Sequence, residues 1–596
     1  MSGQIQKYTK RAMFIFGFNF LVGFSFLFAL PSSFAAVGNY FILILVAGSL
    51  ISFMVGLSFS RLTLKFGGFG GSYIYVRRAF GNFTGYIAGW YQYIQGPFVC
   101  VTTVSAIAWA FKSWTGFSTS GNFYDNYQFW IIAFAILSVI IIIVILYFGL
   151  APTTYSLWFL WALKWGVIIF SLVLCFSRMF WSNSGDGGFF SNIFNNGYTP
   201  KNLNMGQAVD SLITFFFAYG GFEGIAAVAN DVENPHKNMP KILLGIIIFT
   251  TIFYVFAFLL FLGALGAQNG LASGSDVNPI NMIFKNLFQT KLNWGVVAML
   301  LGLLAVVGQI ANKLTSRIQN GWVNTRLIAP LAADGFLPIR FAKRNRYHQF
   351  KNALFLDSII SIVLVLIYFS IFLSVPFFKS GAGMDVLSGS LDLYSLVVFV
   401  QYGLTMFAAW KLASPKVGFL TVKKWERYMY FFGGIFLFFL LGYYLVNNVT
   451  NAIVQHTMQN IYQIILFVIA GIVGLSLYPI GDWLNWRKQA HKVHDPDLEE
   501  ADISYEHWKK TRDRNYNLED IIDRISDDTK ENHLKNIKKA VINTIENPKP
   551  NDIKPQNIQK ADLVIDIEQS KQENKIKAKF NQIKKKFISF FKHKKE

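Results

Sequence analysis

The sequence predicts an all-α polytopic membrane protein of about 12 transmembrane helices, followed by a charged cytoplasmic tail. Three observations predict it. Of the 596 residues, 53% are hydrophobic and only 15% charged, whereas a soluble chain of this length divides into domains with charged surfaces. The apolar residues fall in runs of about twenty, the length that crosses a bilayer as a helix. The Lys and Arg residues crowd alternate connecting loops.

The runs lie near 12–35, 39–60, 84–111, 130–150, 157–180, 208–230, 242–266, 295–316, 354–376, 393–412, 429–447 and 459–480. "WIIAFAILSVIIIIVILYFGL", Trp130 to Leu150, is the clearest. The first run has no small-residue cleavage site and another follows directly, so it reads as a membrane helix rather than a signal peptide. Arg61, Lys65, Arg77 and Arg78 share one short loop. Arg340, Lys343, Arg344 and Arg346 share a second, and Lys416, Lys423, Lys424 and Arg427 a third. The alternate loops around 113–128, 181–206 and 448–457 are nearly free of Lys and Arg. This positive-inside pattern, with an even number of spans, puts both termini in the cytoplasm and the chain across the cell membrane. The net charge of +21 therefore belongs to a membrane topology and not to a nucleic-acid partner.

Composition divides the chain at about Asp482, into a membrane domain at 1–481 and a tail at 482–596. Of the 33 acidic residues, 21 lie in the tail. Within the membrane domain Glu223 alone is expected deep in a span, where a charge costs several kcal/mol and marks function. In the tail, Leu534, Ile537, Val541 and Ile545 recur at helical spacing, and "ENPKPNDIKPQN" is a linker. Ile576, Phe580, Ile583, Phe587 and Phe591 recur among lysines, the pattern of a basic amphipathic helix on the anionic inner leaflet. The rest of the tail reads as partly disordered. Cys100 and Cys175 both fall inside spans and form no disulfide framework or metal spacing. No Gly-rich phosphate loop, metal cluster or nucleophile–base arrangement occurs, so no enzyme, cofactor or metal is expected. The lack of a filter-like repeat argues against a channel.

Two spans contradict their own pattern. "FFFAYGGFEG", Phe215 to Gly224, places two glycines and an acid in mid-span. Lipid tolerates no interrupted helix, because freed N–H and C=O groups find no water; interruption survives where the backbone lines a cavity. There the freed groups become a binding site. Ala218, Tyr219, Gly220, Gly221 and Phe222 therefore read as an unwound midpoint, the alternative being a small-residue packing face. "FLVGFSFLFALPSSFAAVG" in span one carries Gly23, Ser25 and Pro31, with a break expected near Ser25. Corresponding breaks in two halves point to a transporter with a midplane site. Lys164, in "LWFLWALKWGVIIF" of span five, is an ammonium on an apolar helix that must pair, bond carbonyls or lose its proton. The competing expectation is snorkelling to the interface.

At these residues the chain resembles the amino acid–polyamine–organocation (APC) transporters over nearly all of 10–480. Gly221-Phe222-Glu223, Ala226-Ala227, Glu233-Asn234-Pro235 and Pro240 match the sixth-span motif. "GGSYIYVRRAFG", Gly70 to Gly81, and "GYIAGW", ending at Trp90, match the loop between spans two and three. Arg326, Asp334-Gly335, Pro338 and Phe341-Ala342-Lys343 match a cytoplasmic loop. The resemblance implies a five-plus-five inverted repeat with discontinuous helices 1 and 6, plus two further spans. It implies a substrate between the two breaks, its carboxylate on span-one amides and its amino group on span-six carbonyls. A lysine on span five occurs in many proton-coupled members, and Lys164 matches it. The candidate substrate-binding set is Gly23, Phe24, Ser25, Phe26, Ala218, Tyr219, Gly220, Gly221, Phe222 and Asn312, with Lys164 and Glu223 for proton coupling. The usual "GSGIF" of span one is here Phe24-Ser25-Phe26-Leu27-Phe28, and Arg61 stands where an acid is usual. The expectation is secondary active transport of amino acids by proton symport or exchange. The alternatives are a polyamine or other organic cation carrier, and a transport-deficient nutrient receptor signalling through the tail.

Overall fold

A computed structural model of the chain describes residues 7–484 and 486, except 67, 113, 115–122, 181–187, 195–197, 201–202, 268–270, 273–277, 292–293, 346, 375–382, 416, 418 and 456–460. The chain divides into two units, Met1–Leu498 and Glu499–Glu596. The second, with the amphipathic helix expected at 571–595, lies outside the described residues.

The helices follow in order as α1 (Lys10–Leu21), α2 (Phe24–Val37), α3 (Phe41–Thr63), α4 (Ser72–Phe80), α5 (Asn82–Lys112), α6 (Phe123–Tyr147), α7 (Leu150–Ser177), α8 (Phe189–Phe194) and α9 (Met205–Phe216). Then come α10 (Phe222–Ala227), α11 (Pro235–Leu265), α12 (Pro279–Phe284), α13 (Gly295–Ala333), α14 (Lys351–Ser374), α15 (Gly383–Leu412), α16 (Lys424–Gln455) and α17 (Ile461–Trp483). Local chemistry explains several starts. Thr9 accepts a hydrogen bond from Ala12 N and caps α1. Asn204 and Gln207 exchange side-chain and backbone bonds in a capping box at α9. Pro235 opens α11, where its missing N–H costs nothing.

Among the described residues, nine apolar helical stretches are long enough to cross a membrane. A shorter apolar stretch fills Ile132–Tyr147. Two segments are divided into half-helices, α1 with α2 and α9 with α10, so length alone does not count the spans. The interior belongs to α5 and α15. In the most apolar window of α5, 94% of residues are buried, against 28% in α17. The outer helices turn apolar side chains outward, as lipid requires. On α7, Trp158, Phe159, Ile169 and Val173 are exposed while Lys164 is fully buried.

Two expectations change. The span near 295–316 continues as one helix to Ala333, because Arg317, Gln319, Asn320, Asn324 and Arg326 are buried among protein rather than exposed to lipid. Their polarity lowers the hydropathy although the helix persists. Glu223 is also not alone: Asp357 on α14 and Asp392 on α15 are buried within helices. Each has side-chain partners on other helices. Asp357 takes Asn324 Nδ2 at 2.6 Å and lies 3.8 Å from Arg317, and Asp392 takes Thr214 Oγ1 at 2.6 Å and Tyr444 Oη at 3.2 Å.

Candidate functional site

Span one breaks at Val22 and Gly23, two residues before Ser25, which lies in the first turn of α2. Val22 is extended, at φ −80° and ψ 132°. Its N–H still closes on Phe18 O, but the carbonyls of Asn19, Leu21 and Val22 lack helical partners. Gly23 is required by crowding rather than by its torsion. A Cβ there would run into Asn312 Oδ1 and come within 3.0 Å of Lys164 Nζ. The residues replacing the family's span-one glycines therefore lie past the break, inside a helix.

Span six breaks between Tyr219 and Phe222. Phe217-Ala218-Tyr219 tighten into a 3-10 turn and Gly220 is extended, at ψ 153°. Gly221 takes φ 120°, which only glycine adopts readily. A side chain at Gly220 would also meet Tyr394 Oη at 2.6 Å.

Three side chains take up the freed backbone groups, two from other helices and one from span six itself. Lys164 on α7 donates to Asn19 O at 2.8 Å and Val22 O at 2.5 Å. It therefore does not snorkel; its ammonium is a structural part of the span-one break. Tyr254 on α11 donates to Ala218 O at 2.6 Å, and the same hydroxyl reaches Leu21 O at 3.1 Å. One phenol thus ties both breaks together. Glu223 accepts Gly221 N–H with both oxygens, at 3.0 and 2.9 Å, and takes Tyr394 Oη at 3.1 Å and Tyr402 Oη at 2.5 Å. Its charge is spread over three donors, which is how a carboxylate survives away from water. Lys164 and Glu223 share no partner; each serves its own break.

The remaining candidates divide. Gly23 and Asn312 meet at span one, and Asn312 Nδ2 makes no hydrogen bond. Phe26 stacks on Tyr254 with centroids 4.7 Å apart. Tyr219 turns aside to donate to Leu45 O at 3.1 Å. Phe222 packs against Phe59 and Tyr402, on the Glu223 side. The side chains of Phe24 and Ser25 lie outside the described residues. The sequence alone did not single out Tyr254, Tyr394 or Tyr402. Each lies in an ordinary apolar or mixed run, and nothing local distinguishes a tyrosine that caps a distant break from one that fills a core.

Contacts tie the elements together at the basic end of the bundle. Tyr8 N donates to Asp231 O at 2.8 Å and Glu233 N to Tyr8 O at 3.0 Å, a short bridge between the chain start and the end of span six. Arg326 Nε pairs with Asp231 at 2.9 Å, and its Nη1 donates to Gln349 at 3.0 Å. Asp334 binds both Tyr73 and Arg77. Arg61, where an acid was expected, forms a two-point pair with Glu426 at 2.8 and 3.0 Å.

Unwound backbone held by side chains deep in an apolar bundle fits a multi-pass membrane transporter. The chain belongs to the amino acid permease family of the APC superfamily; the family profile matches residues 11–470. It is similar to the uncharacterized protein MG225 of Mycoplasma genitalium, 26% identical over 507 residues that cover 82% of this chain and 98% of the relative. It is also similar to the glutamate/serine transporter AimA of Bacillus subtilis, 24% identical over 60% of this chain and 65% of the relative. An aspartate-proton symporter of Bacillus subtilis is 24% identical over 52% of this chain and 59% of the relative.

Proposed function

We propose that the protein is a secondary active transporter that carries amino acids across the cell membrane by alternating access, with protons as the coupling ion. The observation that carries this reading is the Lys164 ammonium on Asn19 O and Val22 O. Protonated, it holds the span-one break in one shape. Deprotonated, it holds two carbonyls less firmly, and the half-helices are free to shift. A proton and the gate therefore act on the same atoms. The α2 N-terminus, which has no side-chain cap, suits a substrate carboxylate. The span-six carbonyls suit its amino group. The Bacillus relatives are a glutamate/serine transporter and an aspartate-proton symporter. Glu223 is the second candidate for a coupling proton, since its protonation would loosen Gly221 N–H. The alternating basic loops support a cytoplasmic basic end and two cytoplasmic termini.

The test is uptake of labelled amino acids by proteoliposomes, with and without an inward proton gradient. The parent should accumulate substrate only with the gradient. Lys164→Ala should lose gradient-driven uptake and still bind substrate in an equilibrium assay. Uptake by that variant with the parent's pH dependence would overturn the coupling role.

A further inference from the structure

We propose that a cavity at the basic end of the membrane domain binds the phosphate headgroup of an anionic phospholipid, with Lys343, Arg344 and Lys351 as its cationic wall.

The cavity measures about 590 Å³ and lies between the end of α6, the segment joining α13 to α14, and the first turn of α14. Tyr147, Lys343, Arg344, Asn345, Lys351 and Asn352 line it. Three of these are cations and none is an acid. The chain's own bonds fix the walls. Asn345 Nδ2 donates to Tyr147 O at 3.0 Å and fastens the segment to α6. Asn345 Oδ1 accepts Tyr347 N and Gln349 N, each at 2.9 Å, which rounds the segment into a turn. Asn352 Nδ2 donates to Arg340 O at 2.9 Å. The Arg344 guanidinium is set by two rings, 4.8 Å from the Phe350 centroid and 5.8 Å from that of Phe69.

Other cations at this end have carboxylate partners. Arg61 pairs with Glu426, Arg77 with Asp334 and Arg326 with Asp231. Lys343 and Lys351 form no ion pair among the described residues. Cations gathered around one cavity repel each other, and an anion between them relieves that repulsion. The start of α14 adds the positive end of a helix dipole at the same place. A phosphate suits this set, because its oxygens accept from lysine ammoniums and from the arginine fork together.

The position selects a lipid over a dissolved anion. α6 and α14 pack side by side. Val144 and Phe148, at the end of α6 and just after it, are exposed apolar side chains, as are Phe355 and Ile359 near the start of α14. Each pair is four residues apart and shares a face of its helix. In a bilayer such faces meet acyl chains, at the level where the basic cavity meets headgroups. A zwitterionic headgroup would bring its own ammonium among the three cations and is disfavoured.

The experiment uses the full chain, purified in detergent and mixed with equal amounts of phosphatidylglycerol and phosphatidylcholine. Native mass spectrometry counts the lipids retained. The parent should hold phosphatidylglycerol under conditions that strip phosphatidylcholine, and the double variant Lys343→Gln with Lys351→Gln should hold one molecule fewer. Lys423→Gln with Lys424→Gln, in another basic loop, should retain as much as the parent. If the first double variant is not recovered folded, Lys351→Gln alone should lower the occupancy of that molecule and Lys351→Arg should keep it. Phosphatidylglycerol should raise the thermal transition of the parent, and inorganic phosphate in its place should not. Equal retention of the two lipids overturns the inference. So does parental retention in the variants that remove Lys343 and Lys351, or an equal loss in the Lys423 and Lys424 variant. A rise with inorganic phosphate that matches the rise with lipid also overturns it, since the cavity then takes a free anion.

Discussion

Tyr254 shows how one side chain couples two distant backbone defects. Its hydroxyl serves Ala218 O and Leu21 O, and its ring stacks on Phe26. Tyr254→Phe keeps the stack and removes the donor. The buried carbonyls left behind should cost roughly 1–3 kcal/mol, read as a lower thermal transition of the solubilised protein and weaker substrate binding. A variant with the parent's transition and affinity would show that the bond does not hold the breaks. Lys164 and Tyr254 were unequally legible. An ammonium inside an apolar run is costly wherever it points, so Lys164 declares itself from sequence. A tyrosine in "TIFYVFAF" is ordinary membrane core until the fold sets its hydroxyl against two broken helices.

At the scale of elements, the break in span one belongs to Val22 and Gly23 because of what packs there. Gly23 is the position where the ends of the Asn312 and Lys164 side chains crowd the backbone, so that a side chain there would displace them. Ser25 offers polarity but lies in the next helix. The bundle's basic end is tied together by the Tyr8–Val232 bridge and by the Arg326–Asp231 pair. Asp231→Asn removes the charge that holds Arg326, and breaking such a buried pair is strongly destabilising to the arrangement that contains it. The expected outcome is a population shift toward a conformation open at that end. A reporter cysteine at Ala218 should then react faster with a membrane-impermeant thiol reagent applied from the Tyr8 side. Equal labelling rates in Asp231→Asn and its parent would rule out a gate at this pair. The sequence ends the α13 span too early, at 316. Its polar residues face protein, and hydropathy assumes that they face lipid.

At the scale of the whole molecule, the tail is separable by composition. A chain ending at Leu498 should insert and retain uptake per inserted molecule; loss of uptake in a well-inserted truncation would make the tail part of the transport machinery. A peptide of 571–595 should turn helical on anionic vesicles and release with salt, since each lysine near such a surface contributes about 1 kcal/mol. A peptide that stays disordered there would end the membrane-surface reading. The sequence by itself determined the membrane class, the family, the basic loops and the two spans that must unwind. These follow from composition and from the cost of charge or broken backbone in lipid, which act residue by residue. Only the tertiary structure decided where span one opens, which side chains receive its carbonyls, and that Asn312 reaches Gly23. Those are distances between residues far apart in the chain, and a local pattern carries no record of which helix faces which.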